Sequence, residues 1–160
     1  MELPSLNGLT PKELLCLFGS ILDELRSLGI VRTSNNPVSD YTEWLVSTRL
    51  NLKLAGKSEK RFDATDGSDG LKYEIKARRV TPANKSRQLS AIRDIDGKHF
   101  DFLIAVVYDK DFEVILALKI PHSVVVAKSS FVAKTNSYKL MAEDRLKSEP
   151  GVEDLIRLFR

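Results

Sequence analysis

Between positions 14 and 28 the apolar residues Leu14, Phe18, Ile21, Leu25 and Leu28 alternate steps of four and three, the spacing of one face of an α-helix. Leu15 and Leu22 widen that stripe. Thr10-Pro11 supplies an N-cap followed by proline at the first helical position, and Gly29 stops the run, so a helix over 11–29 is expected. With only two heptads it reads as a helix packed on the core, with a dimer contact as the sharper alternative. Cys16 within it reads as a small buried apolar residue. Asn35-Asn36-Pro37 marks a loop, and a second helix is expected from Ser39 or Asp40, one of them the N-cap, to about Leu52.

The period then changes. After a polar turn over 56–60, the segments Phe62 to Asp66 and Leu71 to Arg79 alternate with period two and read as strands joined by Gly67-Ser68-Asp69-Gly70. Thr81-Pro82 breaks the second strand, and a short helix is expected from Lys85 to Ile95. Phe100 to Tyr108 is almost continuously apolar, as a strand buried on both faces should be. Asp109-Lys110-Asp111 turns it back into Phe112 to Ile120, which Pro121 ends. A short helix or turn over 122–130, a weak strand or hairpin over 131–142 and a final helix from Val152 to Phe159 complete the chain. The expected fold is a single domain over 1–160 of the α/β type, a mixed sheet with helices on its faces.

Composition narrows the chemistry. The chain has 160 residues, 42% hydrophobic and 29% charged, with one cysteine and two histidines. A disulfide framework and a cysteine metal cluster are excluded, and a histidine-rich metal site is unexpected. The longest apolar run, Phe102 to Tyr108, is strand-sized and far short of a membrane span. Glu2, Glu13, Asp23 and Glu24 do not suit a signal peptide, so a cytoplasmic protein without a membrane partner is expected. Any chemistry must come from carboxylates, lysines and arginines, without a small-molecule cofactor. The formal charge of +3 hides a local zone: between Leu71 and Lys98 eight basic residues face three acids, a segment of +5. Such a zone suits a phosphate-rich partner.

The hairpin carries the most information. With the loop at 67–70, paired positions sum to 137. Ala64 then faces Tyr73 and Phe62 faces Ile75 on the apolar side, while Asp63 faces Glu74 on the polar side. Opposed side chains lie about 5 Å apart, and two like charges so placed repel unless something sits between them. A divalent cation suits hard carboxylate oxygens, Mg²⁺ in particular, with Mn²⁺ as substitute. Lys76 lies two residues along on the same face, placed to orient or activate a water and to stabilise charge at phosphorus. Glu43, on the second helix with Val46 and Leu50, can reach inward from the core's edge. Asp66 and Asp69 are expected to cap the turn, and His99 and His122 to be satisfied or exposed histidines.

Glu43, Asp63, Glu74 and Lys76 together resemble the PD-(D/E)xK superfamily of restriction-endonuclease-like nucleases: an acid on an early helix, an aspartate opening a hairpin strand, and acid-x-lysine on the next. The wording Asp-Ala-x-Asp…Tyr-Glu-x-Lys over 63–76 is similar to that of small homodimeric type II restriction enzymes. The stretch 36–122 is similar to a family of small bacterial proteins with such domains. Phe62 stands where the pattern has proline. The resemblance implies an αβββαβ core, here with added N- and C-terminal helices, and a Mg²⁺-dependent endonuclease acting on double-stranded DNA in a restriction-like or defence-related setting. It implies Asp63 and Glu74 as metal ligands, Glu43 as ligand to a second metal or anchor of Lys76, and a homodimer where both strands are cut. Arg78, Arg79, Lys85, Arg87, Gln88 and Arg93 form the expected DNA-contacting surface, Gln88 on the helix after the lysine. The rival readings are a non-catalytic DNA-binding domain on the same fold, a protein-interaction module using the Leu14–Leu28 stripe, and a nuclease for RNA or branched DNA.

Overall fold

A computed structural model describes residues 4–56 and 61–159. The turn expected over 56–60 lies outside them apart from Gly56. A six-stranded mixed sheet organises the chain: β1 (Leu52–Leu54), β2 (Ala64–Asp66), β3 (Lys72–Arg79), β4 (Phe102–Tyr108), β5 (Val114–Pro121) and β8 (Glu153–Asp154), in spatial order β1-β2-β3-β4-β5-β8. β3 and β4 are parallel, and every other pair is antiparallel. Three α-helices, α1 (Pro11–Ser27), α2 (Pro37–Leu50) and α3 (His122–Lys128), and a small hairpin of β6 (Ser130–Val132) and β7 (Ser137–Lys139) surround it. The result is a mixed α+β fold with a mostly antiparallel sheet.

Two apolar layers sandwich this sheet. β4 shows why: Ile104, Val106 and Tyr108 enter one layer and Leu103, Ala105 and Val107 the other, so both faces of the strand are buried. The first layer is closed by Leu45 and Val46 of α2 against Tyr73 and Ile75 of β3. The second is closed by Leu89, Ile92 and Ile95, by Val124 and Val125 of α3, and by Leu140 and Leu146.

α2 starts earlier than its sequence suggests. Asn36 is the N-cap, its side chain accepting from Val38 N at 3.1 Å, with Pro37 at the first helical position. Asp40 is instead buried, where its Oδ2 accepts from the backbone N–H of Arg32 (2.7 Å) and Thr33 (2.6 Å). That carboxylate ties the chain entering the helix to the helix itself.

α1 forms where expected, closed by a reciprocal Thr10–Glu13 capping box, but it does not pack on the core. None of its residues is buried. Leu15, Phe18 and Ile21 are at least half exposed, and Cys16 is exposed rather than buried. The two layers are filled without it, and it meets the body through Leu25, beside Pro37, Tyr41 and Phe112.

Two expected helices are absent. Residues 85–94 run extended beneath the sheet, with Leu89 N bonded to Leu140 O (3.0 Å), Ile92 N to Tyr138 O (2.9 Å) and Tyr138 N to Ile92 O (2.8 Å). One turn of 3-10 helix, Ile95–Gly97, follows. The αβββαβ order therefore lacks its second helix, and Gln88 sits in an isolated bridge to Met141 rather than on a helix. A helix of that length is marginal by itself, and pairing with 138–142 satisfies the backbone while burying Leu89 and Ile92. Likewise 152–159 forms β8, paired with β5, and a 3-10 turn, Ile156–Leu158, that seats Leu155 in the α2-side layer.

Candidate active site

β2 and β3 pair in the expected register, Ala64 opposite Tyr73 and Thr65 opposite Lys72. The turn is held as expected: Asp66 Oδ1 accepts from Ser68 N at 2.7 Å and Asp69 Oδ1 from Leu71 N at 2.9 Å. The ladder then stops after three residues of β2, before Phe62 can reach Ile75. Phe62 instead lies under the ammonium of Lys72, 5.2 Å from its ring centre.

Asp63 sits at that break. Its N–H bonds to Tyr73 O (2.8 Å) and its Oδ2 accepts from Ile75 N (2.7 Å). These two bonds bracket residue 74, so the carboxylate stands beside Glu74 on the open edge of β3. Glu74 and Lys76 project together from one face of β3 and form an ion pair, each side chain 17% exposed. Glu43 arrives from α2, on the sheet's other side, and pairs with Arg32. Asp63, Glu74 and Lys76 line one cavity of about 580 Å³. Glu43, Arg32 and Asp63 line a smaller one of about 220 Å³, so Asp63 is common to both.

The electrostatics follow from this placement. Burial and then the Asp63 charge push the Glu43 carboxyl above its ordinary range, against the pull of Arg32. Burial also raises Glu74; Lys76 opposes this and Asp63 adds to it. For Lys76, burial works against the ammonium, but Glu74, Asp63 and Glu43 outweigh it and the pKa rises. The amine is therefore firmly protonated near neutral pH. Glu43 is paired with Arg32 and Glu74 with Lys76, and Asp63 adds its charge to both carboxyls.

The large cavity is also lined by Arg61, Asp94 and His99, which the sequence did not suggest, and by Arg93. His99 Nε2 and Asp94 Oδ2 are 2.5 Å apart. Arg32 was also missed, since its contact with Glu43 spans eleven residues and no local motif announces it.

The expected DNA-contacting residues are dispersed. Arg93 alone among them lines the cavity. Arg78 donates to Ser86 O at 2.9 Å. Arg79 donates to Lys110 O, and its guanidinium lies 4.6 Å from the centre of the Phe112 ring. Arg87 pairs with Asp144 at 3.0 Å. Lys85 and Gln88 are exposed on the 85–94 segment.

Among the described residues no three acidic, histidine or cysteine side chains are placed to hold a metal ion as they stand. No described helix is long and apolar enough to cross a membrane. The chain matches no protein-family model, and no curated protein matches its sequence.

Proposed function

We propose that this protein is a metal-dependent endonuclease that hydrolyses DNA phosphodiester bonds. The observation that carries the reading is the meeting of Asp63, Glu74 and Lys76 in one cavity at the open edge of β3, with Glu43 brought to the same carboxylate from α2. The element order up to β4, with acid-x-lysine on β3, is compatible with the PD-(D/E)xK resemblance, although the helix between β3 and β4 is missing.

The donor set suits a divalent cation. Asp63, Glu74 and Glu43 offer hard oxygens; burial, with the Asp63 charge adding to it, raises Glu43 and Glu74, and a dication would offset both effects. Asp63 and Glu74 would hold Mg²⁺, and Glu74 would exchange its present ion pair with Lys76 for the metal. When bound, the ion lowers the pKa of a coordinated water and neutralises phosphate charge. Lys76, beside the metal, would orient the attacking water and stabilise charge on the pentavalent phosphorus. Glu43 is the acid best placed to anchor this arrangement from behind. Arg93 and the exposed Lys85 and Gln88 offer contacts along the nucleic-acid backbone.

Cleavage of both strands calls for two copies. The exposed apolar face of α1, with Leu15, Phe18 and Ile21, is the surface we assign to that contact. The test is incubation of supercoiled plasmid with protein and Mg²⁺ or Mn²⁺. Nicking or linearisation that disappears in Lys76→Ala and Asp63→Ala supports the reading; cleavage that survives both substitutions refutes it. One observation favours the rival of DNA binding without hydrolysis: Glu74 and Glu43 are each already paired with a cation. That rival predicts salt-dependent DNA retention without cutting, unaffected by metal.

A further inference from the structure

We infer that His99, held by Asp94, is a catalytic residue of this site and gives a proton to the leaving oxygen; the inference rests on the phosphodiesterase reading above. A short turn builds the pair. Asp94 and Lys98 both adopt left-handed backbone, φ 48° and 46°, a conformation unfavourable at a residue with a side chain. Between them Gly97 N bonds to Asp94 O at 3.1 Å. A Cβ at Gly97 would lie 2.4 Å from His99 Nε2 and 2.8 Å from Asp94 Oδ2, so only glycine leaves room for the two side chains to meet there. Ile95 anchors the turn in the core, and His122 Nε2 bonds to its carbonyl oxygen at 2.8 Å. The outcome of this construction is an aspartate–histidine pair on the wall of the cavity that holds Asp63, Glu74 and Lys76.

The chemistry of the site leaves a place for it. Glu43 is paired with Arg32, Asp63 and Glu74 are the acids assigned to the metal, and Lys76 serves the attacking side. Bond formation between water oxygen and phosphorus is accompanied by breakage of the bond to the departing alkoxide, which is a poor leaving group until it gains a proton. In the imidazolium form of His99, Nε2–H stays on Asp94, and Nδ1–H is the proton that passes to the departing oxygen to give the alcohol. The water's proton goes to solvent, and solvent then reprotonates the imidazole, whose side chain is 27% exposed.

The experiment uses the full chain with Mn²⁺ and two duplex oligonucleotides, one natural and one with sulfur in place of the leaving bridging oxygen, a thiolate needing no proton to depart. His99→Ala is expected to cut the natural duplex about 100-fold more slowly than the wild type and the sulfur duplex within a few-fold of it. Asp94→Asn should show a smaller loss with the same rescue. A His99→Ala protein that cuts the natural duplex at the wild-type rate, or is equally slowed on both, overturns the inference while the nuclease reading stands. A wild-type protein that cuts neither duplex overturns both.

Discussion

Replacing Asp63 by asparagine separates the electrical role of this residue from its structural one. The amide oxygen can still accept from Ile75 N, so the edge of β3 keeps its partner. What disappears is a negative charge that adds to the raising of both Glu43 and Glu74 and, after Glu74, to that of Lys76. Two charges about 6 Å apart interact by about 3 kcal/mol at an effective dielectric constant near 20. Glu43 and Glu74 side chains retain 15% and 17% exposure, so solvent reduces each repulsion to the order of 1 kcal/mol. One repulsion is offset by the lost attraction to Lys76. The metal-free Asp63→Asn protein should therefore be more stable than wild type by about 1 kcal/mol, a rise of about 2–4 °C in Tm for a domain of this size. The sign of the pH dependence follows. A carboxyl whose folded pKa is raised loses stability as pH climbs from its ordinary value through the raised one. Wild type should weaken over that window above pH 4.5, and the variant less so. Adding 10 mM Mg²⁺ should reverse the order: for a dissociation constant of about 1 mM the wild type gains about 1.4 kcal/mol, and the variant little. Urea unfolding with and without Mg²⁺, at pH 5 and pH 7.5, reads all of this. A variant destabilised by 1 kcal/mol or more without metal, or an equal Mg²⁺ gain in both proteins, would refute the reasoning.

Lys76→Met strands Glu74 as a buried acid without its ammonium. Stability should fall by about 1–3 kcal/mol at pH 8, and by progressively less as the pH is lowered and the raised Glu74 carboxyl takes up its proton, with plasmid cleavage lost throughout. Gly97→Ala should leave global stability within about 1 kcal/mol, because the atoms it meets are ends of side chains, yet shift the His99 ring resonances in NMR as the Asp94 contact opens. Ile21→Asp, at a half-exposed position of α1, should convert a sedimenting dimer to a folded monomer whose Tm no longer depends on protein concentration; a wild type that sediments as a monomer even on DNA removes α1 as a contact between copies.

The legible parts of this chain were those where a local pattern has one physical solution. Alternation around Gly67–Gly70 fixes the hairpin register, because a slip of one residue would turn Tyr73 and Ile75 to the wrong face. The unbroken run Phe102–Tyr108 has to be a strand covered on both sides. The failures occurred where distant partners decide. Leu89, Ile92 and Ile95 recur every three residues, which fits a helix, but an extended segment pinned to residues 138–142 buries the same three side chains. The eight residues from Val152 on are expected to be helical, but the edge of β5 at Leu118 and Lys119 draws Glu153 and Asp154 into a strand. The stripe on α1 announced a helix correctly and said nothing of whether the body had room for it. In the site, Glu43, Asp63, Glu74 and Lys76 were each visible from their own element. Arg32 and the Asp94–His99 pair were not, since a tight turn built on positive φ leaves no periodic trace.

The position of the cluster follows from where sheet pairing fails. β2 is three residues long while β3 has eight, so among the described residues no strand pairs with the β2-facing edge of β3 beyond Tyr73. A half-buried N–H at Ile75 left there without an acceptor costs about 1–3 kcal/mol. The Asp63 side chain supplies the acceptor and brings a charge to the edge in the same atoms. Glu74 and Lys76, which in a continuous sheet would lie beside a paired neighbour, instead border a cavity. This makes the contrast between two substitutions sharper than either alone. Asp63→Ala removes charge and acceptor, so the relief of about 1 kcal/mol in repulsion is outweighed, and the protein should be less stable than Asp63→Asn by about 1–3 kcal/mol. Amide exchange at Ile75 should be accelerated in the alanine variant and unchanged in the asparagine one, while both lose the Mg²⁺ response. Equal stabilities and equal exchange in the two variants would mean that the carboxylate does not hold the strand edge, and the account of why the acids gather at this point of the sheet would fall.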